Sequence, residues 1–424
     1  MPTTDGMGHI VFAAPDLGRF HLLERLRREL LRRRHRVTVL CSDRRRLTFW
    51  RAQVDDVDLL VPQRHLASAA ERWLDRAQPD LLLFHQHRSP AAAQLQAAAE
   101  RRGARVLWTG DGLLPHTLQA DAHGLDGDAG SRRFGAADYR CVDPEPQFLA
   151  ACLAHALGRV EPAGLPRAEV RVPPRSQRLR DALACVAAGR FAEARVALSG
   201  WRAALPAAPT TLSPPPTDLP VPFVALLLQH AHDPRLTLDL DETRTAPPRH
   251  PRELVRAALD AATAVDARLV VVPPAGSSAR LLRALPAMAP NRLRIVPPEH
   301  ASTVAATALA TITANHPLAV VALLAGTPLV HTGRALYELE GVSTRATSAD
   351  LAAALRSALA AHRPAIRRRF LTWLLRHGHV WCSAEEPSFN GIRGLVARIE
   401  HKLDDRPDRP LAHRAGPPWP MTAP

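Results

Sequence analysis

Residues 104–116, Ala104-Arg-Val-Leu-Trp-Thr-Gly-Asp-Gly-Leu-Leu-Pro-His116, indicate both the fold and the first candidate for chemistry. The run up to Trp108 is mostly apolar and predicts a buried β-strand. Glycines on both sides of Asp111 indicate that the strand ends there. Ligands of open parallel sheets bind beyond the carboxyl ends of the strands. We therefore expect the Asp111 carboxylate to face a cleft.

Upstream of this strand, apolar runs alternate with segments of helical periodicity. Strands are predicted over 9–15, 36–40 and 80–84, and helices over 20–30, 66–77 and 90–102. Strands that are apolar throughout and alternate with helices imply a parallel sheet covered on both faces. We expect a Rossmann-like domain over residues 1–165.

The alternation returns in the second half of the chain, and with 424 residues two domains are expected. Strands are predicted over 223–228, 268–272, 293–296, 310–313 and 328–331, with helices over 251–265, 278–288 and 318–325. This pattern predicts a second Rossmann-like domain over 221–382, joined to the first by a helical insertion and Pro-rich linker over 166–220. A C-terminal helix over 383–404 and a disordered, proline-rich tail over 405–424 complete the expected chain. The fold class is α/β and GT-B-like, with two doubly wound domains facing a cleft.

Composition and charge restrict the partners and the cellular location that we expect for this chain. The formal charge is +14, but Lys402 is the only lysine and only 4% of residues are aromatic, so nucleic acid is not an expected partner. Five cysteines without a Cys-x-x-Cys pair favour a reducing compartment. The first residues lack the pattern of a signal peptide. We expect a cytoplasmic protein, with peripheral attachment to the inner membrane as the alternative.

Several motifs resemble those of one family. They are Phe84-His-Gln-His-Arg-Ser-Pro90, Gly110-Asp-Gly-Leu-Leu-Pro-His-Thr-Leu118, Asp121-Ala-His-Gly-Leu-Asp-Gly-Asp128, Leu228-Gln-His-Ala-His-Asp233 and the segment 315–337. Together they resemble bacterial capsular polysaccharide biosynthesis proteins of the β-Kdo transferase type, in the single-module form. The resemblance extends over about residues 8–150 and 220–395.

The resemblance implies a retaining glycosyltransferase that moves Kdo from CMP-Kdo to a lipid or lipid-linked acceptor. No metal or other cofactor is expected, because helix N-termini and arginine side chains can neutralise the leaving phosphate. Many members carry a Lys-x-His-Pro element where this chain has Val271-Val-Pro-Pro-Ala-Gly-Ser277, and a glutamate where it has Val321. The alternatives are therefore a transferase or epimerase that uses another nucleotide sugar, and a catalytically inactive GT-B scaffold in capsule assembly or export.

In the first half, the resemblance implies that Asp111 is the nucleophile or general base, with His116 and Asp121 as further catalytic residues. His87, Arg88 and Asp128 are implied to bind substrate, since Arg forms paired contacts with planar oxyanions. The alternatives are an Asp111 that caps a turn and loop carboxylates that are simply solvated.

In the second half, Gln229 and Asp233 follow the first strand and are expected to bind substrate. The expected nucleotide-binding residues are Asn315, His316, Gly326, Gly333 and Arg334. We expect the N-terminus of the helix after Pro317 to attract a phosphate, because helix N-termini carry unpaired N–H groups and positive partial charge.

Two other patterns have structural alternatives. His377-Gly-His379 with Cys382 has the residue types of a zinc site but lacks a fourth ligand, so no metal is expected. The first helix is rich in arginine, and its basic face is either solvated or in contact with anionic lipid headgroups. The basic residues of that face are Arg25, Arg27, Arg28, Arg32, Arg33 and Arg34.

Overall fold

The computed structural model describes residues 7–13, 19–41, 44–59, 66–85, 90–125, 129–158, 219–229, 251–274, 277, 289–361, 363–384 and 386–404. The chain divides into two compact units. Unit 1 comprises Met1–Glu145 and Arg369–Pro424, and unit 2 comprises Pro146–Arg368. The predicted helix 278–288, the tail 405–424 and nearly all of the predicted insertion 166–220 lie outside the described residues.

The helices and strands follow one another in chain order. Up to residue 156 they are β1 (His9–Ala13), α1 (Phe20–Arg32), β2 (Arg36–Cys41), α2 (Arg44–Arg51), β3 (Val57–Leu59), α3 (Leu66–Ala77), β4 (Leu81–His85), α4 (Pro90–Arg101), β5 (Arg105–Asp111), β6 (Thr117–Asp121) and α5 (Pro146–Ala156). From residue 223 they are β7 (Phe223–Leu227), α6 (Pro251–Thr263), β8 (Arg268–Val272), β9 (Leu293–Ile295), α7 (Ala301–Thr307), β10 (Ala310–Thr313), α8 (Ala319–Ala325), β11 (Leu329–His331), β12 (Thr344–Arg345), α9 (Leu351–Ala360), α10 (Pro364–His377), β13 (His379–Trp381) and α11 (Phe389–Asp404).

The sheet of unit 1 has seven strands in the order β13-β6-β5-β4-β1-β2-β3. Strands β5, β4, β1, β2 and β3 are parallel, and β6 and β13 extend the sheet with antiparallel pairing. Alternate residues of β1 enter different cores. Ile10 and Phe12 pack with α1, α2 and α11, whereas Val11 and Ala13 pack with α3 and α4. Both faces of the sheet are therefore covered by helices.

The sheet of unit 2 has six strands in the order β12-β11-β10-β7-β8-β9, and every pairing is parallel. Val224 and Leu226 pack with α6 and α9 on one face. Phe223, Ala225 and Leu227 pack with α7 and α8 on the other. The prediction of two Rossmann-like α/β domains is confirmed by these two doubly wound sheets.

The C-terminal segment differs from its expected place. Sequence periodicity assigned residues up to 382 to the second domain, but residues from Arg369 onward belong to unit 1. Strand β13 pairs with β6, and Leu395, Val396 and Ile399 of α11 enter the core beside α1. Burial of this apolar helix face draws the segment to the first sheet. The elements that were not predicted are α2, β3, β6, α5, α7, β12 and β13.

Four arginines of the basic face of α1 are paired with carboxylates, whereas Arg25 donates to the Pro387 carbonyl. Arg27 and Arg28 bind Glu24, and Arg32 and Arg33 bind Glu29. Arg33 also binds Glu400 on α11. This pairing favours the solvated-face interpretation of α1 over a lipid-binding one, because the paired carboxylates reduce the attraction to an anionic surface.

Gly326 ends α8 with a left-handed backbone, at a φ of 87°. The amide of Thr327 donates to the carbonyl of Ala322 (2.8 Å), which closes the helix in the usual glycine-capped form. Arg367, itself buried, donates through Nη1 to the Gly326 carbonyl (2.6 Å). Gly326 is thus required by the backbone of a helix end.

The substitution Gly326→Ala should lower the free energy of unfolding by about 1 kcal/mol, because an L-residue is strained at this φ. A Cβ at 326 meets nothing within 4 Å, so strain is the whole cost. Gly341→Ala is the comparison, since φ there is also positive and the new Cβ would lie 2.8 Å from Ile366 Cγ2. Urea unfolding should rank Gly341→Ala as the more damaging; equal losses would contradict this account.

Candidate functional site

The carboxyl edge of the first sheet brings Asp111 to Arg19. Strands β1, β4 and β5 are parallel, so the end of β5 and the start of α1 lie at the same edge. Arg19 Nη2 donates to both carboxylate oxygens of Asp111, at 3.0 Å and 2.9 Å. The Asp111 side chain is 53% exposed and that of Arg19 only 18%. A half-exposed carboxylate is therefore held in place by a mostly buried cation.

Arg19 was not among the residues predicted from sequence. It stands directly after Gly18, beyond the apolar run of β1. Only the position of Arg19 in the sequence could have identified it. The loops after β1 and β5 lie at the same edge of any sheet in which these two strands are parallel. One arginine among many at a strand end was not distinctive without knowing that only β4 separates β1 from β5.

Both glycines beside Asp111 lie in close contact with their neighbours. A Cβ on Gly112 would lie 2.2 Å from Thr117 Oγ1 and 2.9 Å from the Thr117 backbone carbonyl, so this position requires glycine. A Cβ on Gly110 would lie 2.6 Å from Leu125 Cδ1, which is the end of a flexible side chain. The Gly-Asp-Gly pattern therefore comes from a tight hairpin between β5 and β6, with Asp111 paired opposite Leu118.

Two histidines take different places around this hairpin. His116 lies exposed in its turn, with a left-handed φ of 56°. His379, on β13, is buried behind the turn, and its Nε2 accepts the backbone N–H of Leu113 (3.1 Å). Its Nδ1 lies 3.1 Å from the Leu374 carbonyl and donates to it. His116 is thus placed near Asp111 in sequence and solvent-accessible, while His379 supports the turn from behind.

A third histidine lies on the neighbouring strand. His85, the last residue of β4, is buried, and its Nδ1 is 2.9 Å from Thr109 Oγ1. Thr109 in turn donates to the carbonyl of Phe84 (3.1 Å), so its hydroxyl accepts from His85. The rings of Phe84 and Trp108 stack at 4.4 Å. These contacts lock β4 to β5 directly beneath the edge that carries Asp111.

Asp121 is engaged in holding its own loop. Its Oδ1 accepts the amides of His123 (2.7 Å) and Gly124 (3.3 Å), and both oxygens accept the amide of Gly130 (3.0 Å each). Burial raises the pKa of this carboxyl, and the bonds from the backbone N–H groups oppose that shift. Asp121 thus organises its own loop through three backbone donors, and its catalytic role stays a prediction.

Four other predicted site residues, His87, Arg88, Asp128 and Asp233, lie outside the described residues. Their substrate-binding roles remain predictions.

In unit 2, the ends of β7 and β10 are joined by a reciprocal amide pair. Gln229 Nε2 donates to Asn315 Oδ1 (2.8 Å), and the backbone N–H of Asn315 donates to Gln229 Oε1 (3.0 Å). Asn315 Nδ2 also donates to the carbonyl of Arg334, beyond β11. Both amides are buried. Three neighbouring strand ends of the second sheet are therefore tied together by Gln229, Asn315 and the backbone at Arg334.

His316 and Arg334 are the partly exposed members of this group. His316 Nδ1 accepts the amide of Leu318 (3.1 Å), so a neutral ring carries its proton on Nε2. The buried Tyr337 hydroxyl donates to the His316 carbonyl (3.2 Å). The structure thus brings together four of the predicted nucleotide-binding residues, namely Asn315, His316, Gly333 and Arg334.

The backbone amides expected to bind phosphate already have acceptors. Those of Leu318, Ala319 and Val320 donate to His316 Nδ1, the His316 carbonyl and the Pro317 carbonyl. The amide of Gly333 donates to the Ala314 carbonyl (3.0 Å). Phosphate binding by these amides stays a prediction, and the partly exposed side chains beside them are further candidates.

Gly326 lies apart from the other predicted nucleotide-binding residues, and its nucleotide-binding role stays a prediction. It lies at the C-terminus of α8, where the chain enters the amino end of β11, and so at the edge of the sheet opposite Asn315. The sequence motif spans both edges because it includes the helix that crosses between them.

Metal-ligand types do not gather in the described part of the chain. There, no group of three or more His, Cys, Asp and Glu side chains is arranged to hold a metal ion. Within the same ranges, no helix combines the length and apolarity needed to span a bilayer.

Burial of His379 should make unfolding depend on pH. The pKa of His379 is lowered from the usual 6.5 to about 4, mainly by burial. The hydrogen bond to the Leu374 carbonyl opposes this shift, and the charge of Arg398 adds to it. A histidine held neutral when folded contributes stability above pH 6.5, and that stability is lost as pH falls toward 4. The loss is about 1.4 kcal/mol per pH unit over this window.

Urea unfolding between pH 7 and pH 4.5 should therefore show a shallower acid dependence in His379→Gln than in the native chain. His9 and His123 also have pKa values lowered by burial and should sustain part of the slope in both proteins. Val380→Ala is the control, because it removes buried apolar volume on the same strand without removing a titrating group. Parallel slopes for the native and His379→Gln proteins would refute the assignment.

Comparisons with known proteins return structural likenesses at low identity. No protein-family model matches the chain, and no curated protein matches it by sequence. KpsC of Thermosulfurimonas dismutans, a β-Kdo 2,7-transferase, is 13% identical over 92% of this chain and 98% of its own, with a TM-score of 0.41. MurG of Acinetobacter baumannii is 14% identical over 86% and 98%, with a TM-score of 0.34. The UDP-GlcNAc 2-epimerase of Methanocaldococcus jannaschii is 10% identical over 86% and 98%, with a TM-score of 0.29. All three TM-scores lie below 0.5, and the assignment of two Rossmann-like units rests on the sheet topology.

Proposed function

We propose that this chain is a glycosyltransferase that uses a nucleotide sugar, with transfer of Kdo from CMP-Kdo to a lipid or lipid-linked acceptor as the specific reaction. The observation that carries the proposal is the Asp111 carboxylate, half exposed at the end of β5 and held through both oxygens by Arg19. The motif resemblance around residues 84–128 supplies the substrate class.

By analogy with retaining glycosidases, transfer with retention of configuration proceeds through two displacements at the anomeric carbon. In the first, Asp111 forms a bond to that carbon while the bond to the nucleotide phosphate breaks and the nucleotide leaves. In the second, an acceptor hydroxyl oxygen attacks, its proton is removed, and Asp111 leaves. His116, exposed in the same hairpin turn, is the candidate base for the acceptor proton.

Arg19 has a clear task in this scheme. Its two contacts with the carboxylate oxygens fix the direction in which the Asp111 side chain points. The positive charge of Arg19 attracts an anionic sugar or phosphate toward the edge. A hydrogen-bonded carboxylate is a weaker nucleophile but a better oriented one, and orientation contributes strongly to catalysis.

In the second unit, the nucleotide site is built on a rigid amide frame. The Gln229–Asn315 pair fixes the strand ends, while His316 and Arg334 are the partly exposed side chains beside it. Arg334 is the candidate for the nucleotide phosphate, and His316 offers Nε2–H to a sugar or phosphate oxygen.

A second candidate function is favoured by one feature of the sequence. The segment 271–277 lacks the Lys-x-His-Pro element of many CMP-Kdo users, which leaves room for another nucleotide sugar and for an epimerase. An inactive scaffold is the remaining alternative.

Asp111→Asn should lower release of CMP from CMP-Kdo, assayed with phosphatidylglycerol as acceptor, by at least about 100-fold in kcat, because the amide cannot attack the anomeric carbon. The matched control is Asp75→Asn. Asp75 on α3 is 60% exposed and accepts from Arg102, which directly follows α4, through Oδ1 (2.7 Å) and Oδ2 (3.1 Å), so the two residues form a comparable ion pair. Its substitution should leave kcat unchanged.

The outcomes separate the alternatives. Undiminished CMP release by Asp111→Asn would remove Asp111 from its role. Turnover of UDP- or GDP-sugars in place of CMP-Kdo would favour the second candidate. The scaffold would be favoured if the native chain neither binds nor cleaves any of the three donor classes.

Arg19→Gln should lower kcat/KM by about 10- to 100-fold, since the carboxylate loses its orienting charge. The free energy of unfolding should fall by less than about 1 kcal/mol, because half-exposed ion pairs contribute little. Arg102→Gln is the control, with a comparable effect on stability and none on turnover. Equal kinetic effects of the two substitutions would mean that the Arg19–Asp111 pair has no special role.

A further inference from the structure

We propose that His379 is the positioning residue of the Asp111 hairpin, so that the C-terminal segment of the chain shapes the candidate catalytic edge of unit 1. The proposal concerns the turn itself, and its catalytic consequence rests on the function proposed above. His379 does not touch Asp111 in this account; it acts through the backbone of Leu113, two residues further along the chain.

Both ring nitrogens of His379 are committed. Nε2 accepts the Leu113 amide, and Nδ1 donates to the Leu374 carbonyl. The side chain is about 1% exposed, so no bulk water can replace either bond. This pattern requires the neutral tautomer protonated on Nδ1. The ring therefore joins the end of α10 to the hairpin turn by two directed bonds.

The His379 ring lies against two consecutive residues of the turn, Gly112 and Leu113. The Gly112 amide donates to the Thr117 carbonyl (2.8 Å), and Thr117 Oγ1 donates to the Leu114 carbonyl (2.7 Å), which closes the loop on itself. A Cβ on Gly112 would lie 2.8 Å from His379 Cδ2. The ring thus contacts the backbone immediately after Asp111 and also binds the amide of the next residue. Movement of the ring would move the strand end.

The two hydrogen bonds of His379 explain why a polar side chain occupies this buried position. Its strand neighbour Val380 is fully buried and apolar, as expected for a strand within a core. Burying an imidazole costs free energy unless it is hydrogen-bonded. Leaving the Leu113 amide buried without an acceptor would cost about 1–3 kcal/mol. The imidazole meets this need in a way that an aliphatic side chain cannot.

The segment that carries His379 is itself fixed in register. β13 pairs antiparallel with β6, with His379 opposite Gln119 and Val380 opposite Leu118. The Ala120 amide donates to the Gly378 carbonyl (3.0 Å). A one-residue slip would turn the imidazole to the other face of the sheet. This register of β13 against β6 therefore places the imidazole ring at the hairpin turn.

The first test measures the turn without any substrate. His379→Phe keeps a ring but removes the acceptor, and Val380→Ala removes volume from the same strand but keeps the acceptor. Amide hydrogen exchange should show Leu113 exchanging at least about 10-fold faster in His379→Phe than in Val380→Ala, compared at denaturant concentrations that equalise their global stability. Long-range ¹⁵N correlation spectra of the native chain should show the Nδ1–H tautomer of His379. Equal Leu113 exchange in both variants would overturn the proposal.

The second test measures the consequence for Asp111. With CMP-Kdo as the probe, His379→Phe should lower kcat by about 10-fold with little change in KM, while Val380→Ala should leave kcat unchanged. In the Asp111→Asn background, His379→Phe should cause no further loss, because its effect passes through that carboxylate. An additional 10-fold loss in that background would mean a general structural role and would overturn the positioning role.

The two proposals fail separately. If the native chain does not cleave CMP-Kdo, the function proposed above fails, and the ¹³C chemical shift of the Asp111 carboxyl replaces kcat as the readout. That shift should change in His379→Phe and not in Val380→Ala. His379→Gln, which retains an acceptor, should restore part of the native shift; no change in any His379 variant would overturn the positioning role.

Discussion

Parallel pairing of the strands is the constraint on which both candidate sites depend. A parallel neighbour cannot be reached by a short turn, so each connection crosses the sheet as a helix and both faces become buried. All carboxyl ends of the parallel strands then lie at one edge. In unit 1 this places the loop after β1 beside the end of β5, and in unit 2 it places the ends of β7, β10 and β11 together. Residues distant in sequence become neighbours without any specific attraction between them.

The two edges are stabilised by different interactions. At the first, an ion pair between Arg19 and Asp111 leaves the carboxylate half exposed, so it contributes little to stability and remains accessible to a ligand. At the second, Gln229 and Asn315 form a buried neutral pair in which every bond replaces one to water. Removal of either amide would leave its partner buried with an unmet hydrogen bond, at a cost of about 1–3 kcal/mol. The first edge therefore keeps an accessible carboxylate, whereas the second has its strand ends fixed by buried hydrogen bonds.

Sequence patterns predicted the parts of this molecule that depend on local periodicity. The helix over 66–77 and the strands over 268–272 and 310–313 lie as expected, because their apolar residues repeat with the period of one element. β13 was missed because its antiparallel partner β6 lies far away in the chain, and β6 was missed because it is a short strand directly after the Gly-Asp-Gly turn. Arg19 was not predicted because its role depends on the strand order, which no local sequence pattern specifies.

Loop chemistry was the least predictable part of the site. Asp121 and Gly333 have the residue types of a ligand site, yet their oxygens or amide are engaged by nearby backbone. A sequence shows which groups can bind a ligand but not which of them already have a partner, because such bonds depend on turn geometry of a few tenths of an ångström. His379 illustrates the converse. In sequence it belonged to a weak zinc pattern, whereas its two hydrogen bonds define a single proton position and a single ring orientation. A buried polar side chain whose hydrogen bonds all go to backbone groups fixes the conformation of that backbone. For His379, one of these backbone segments is the hairpin turn that follows Asp111.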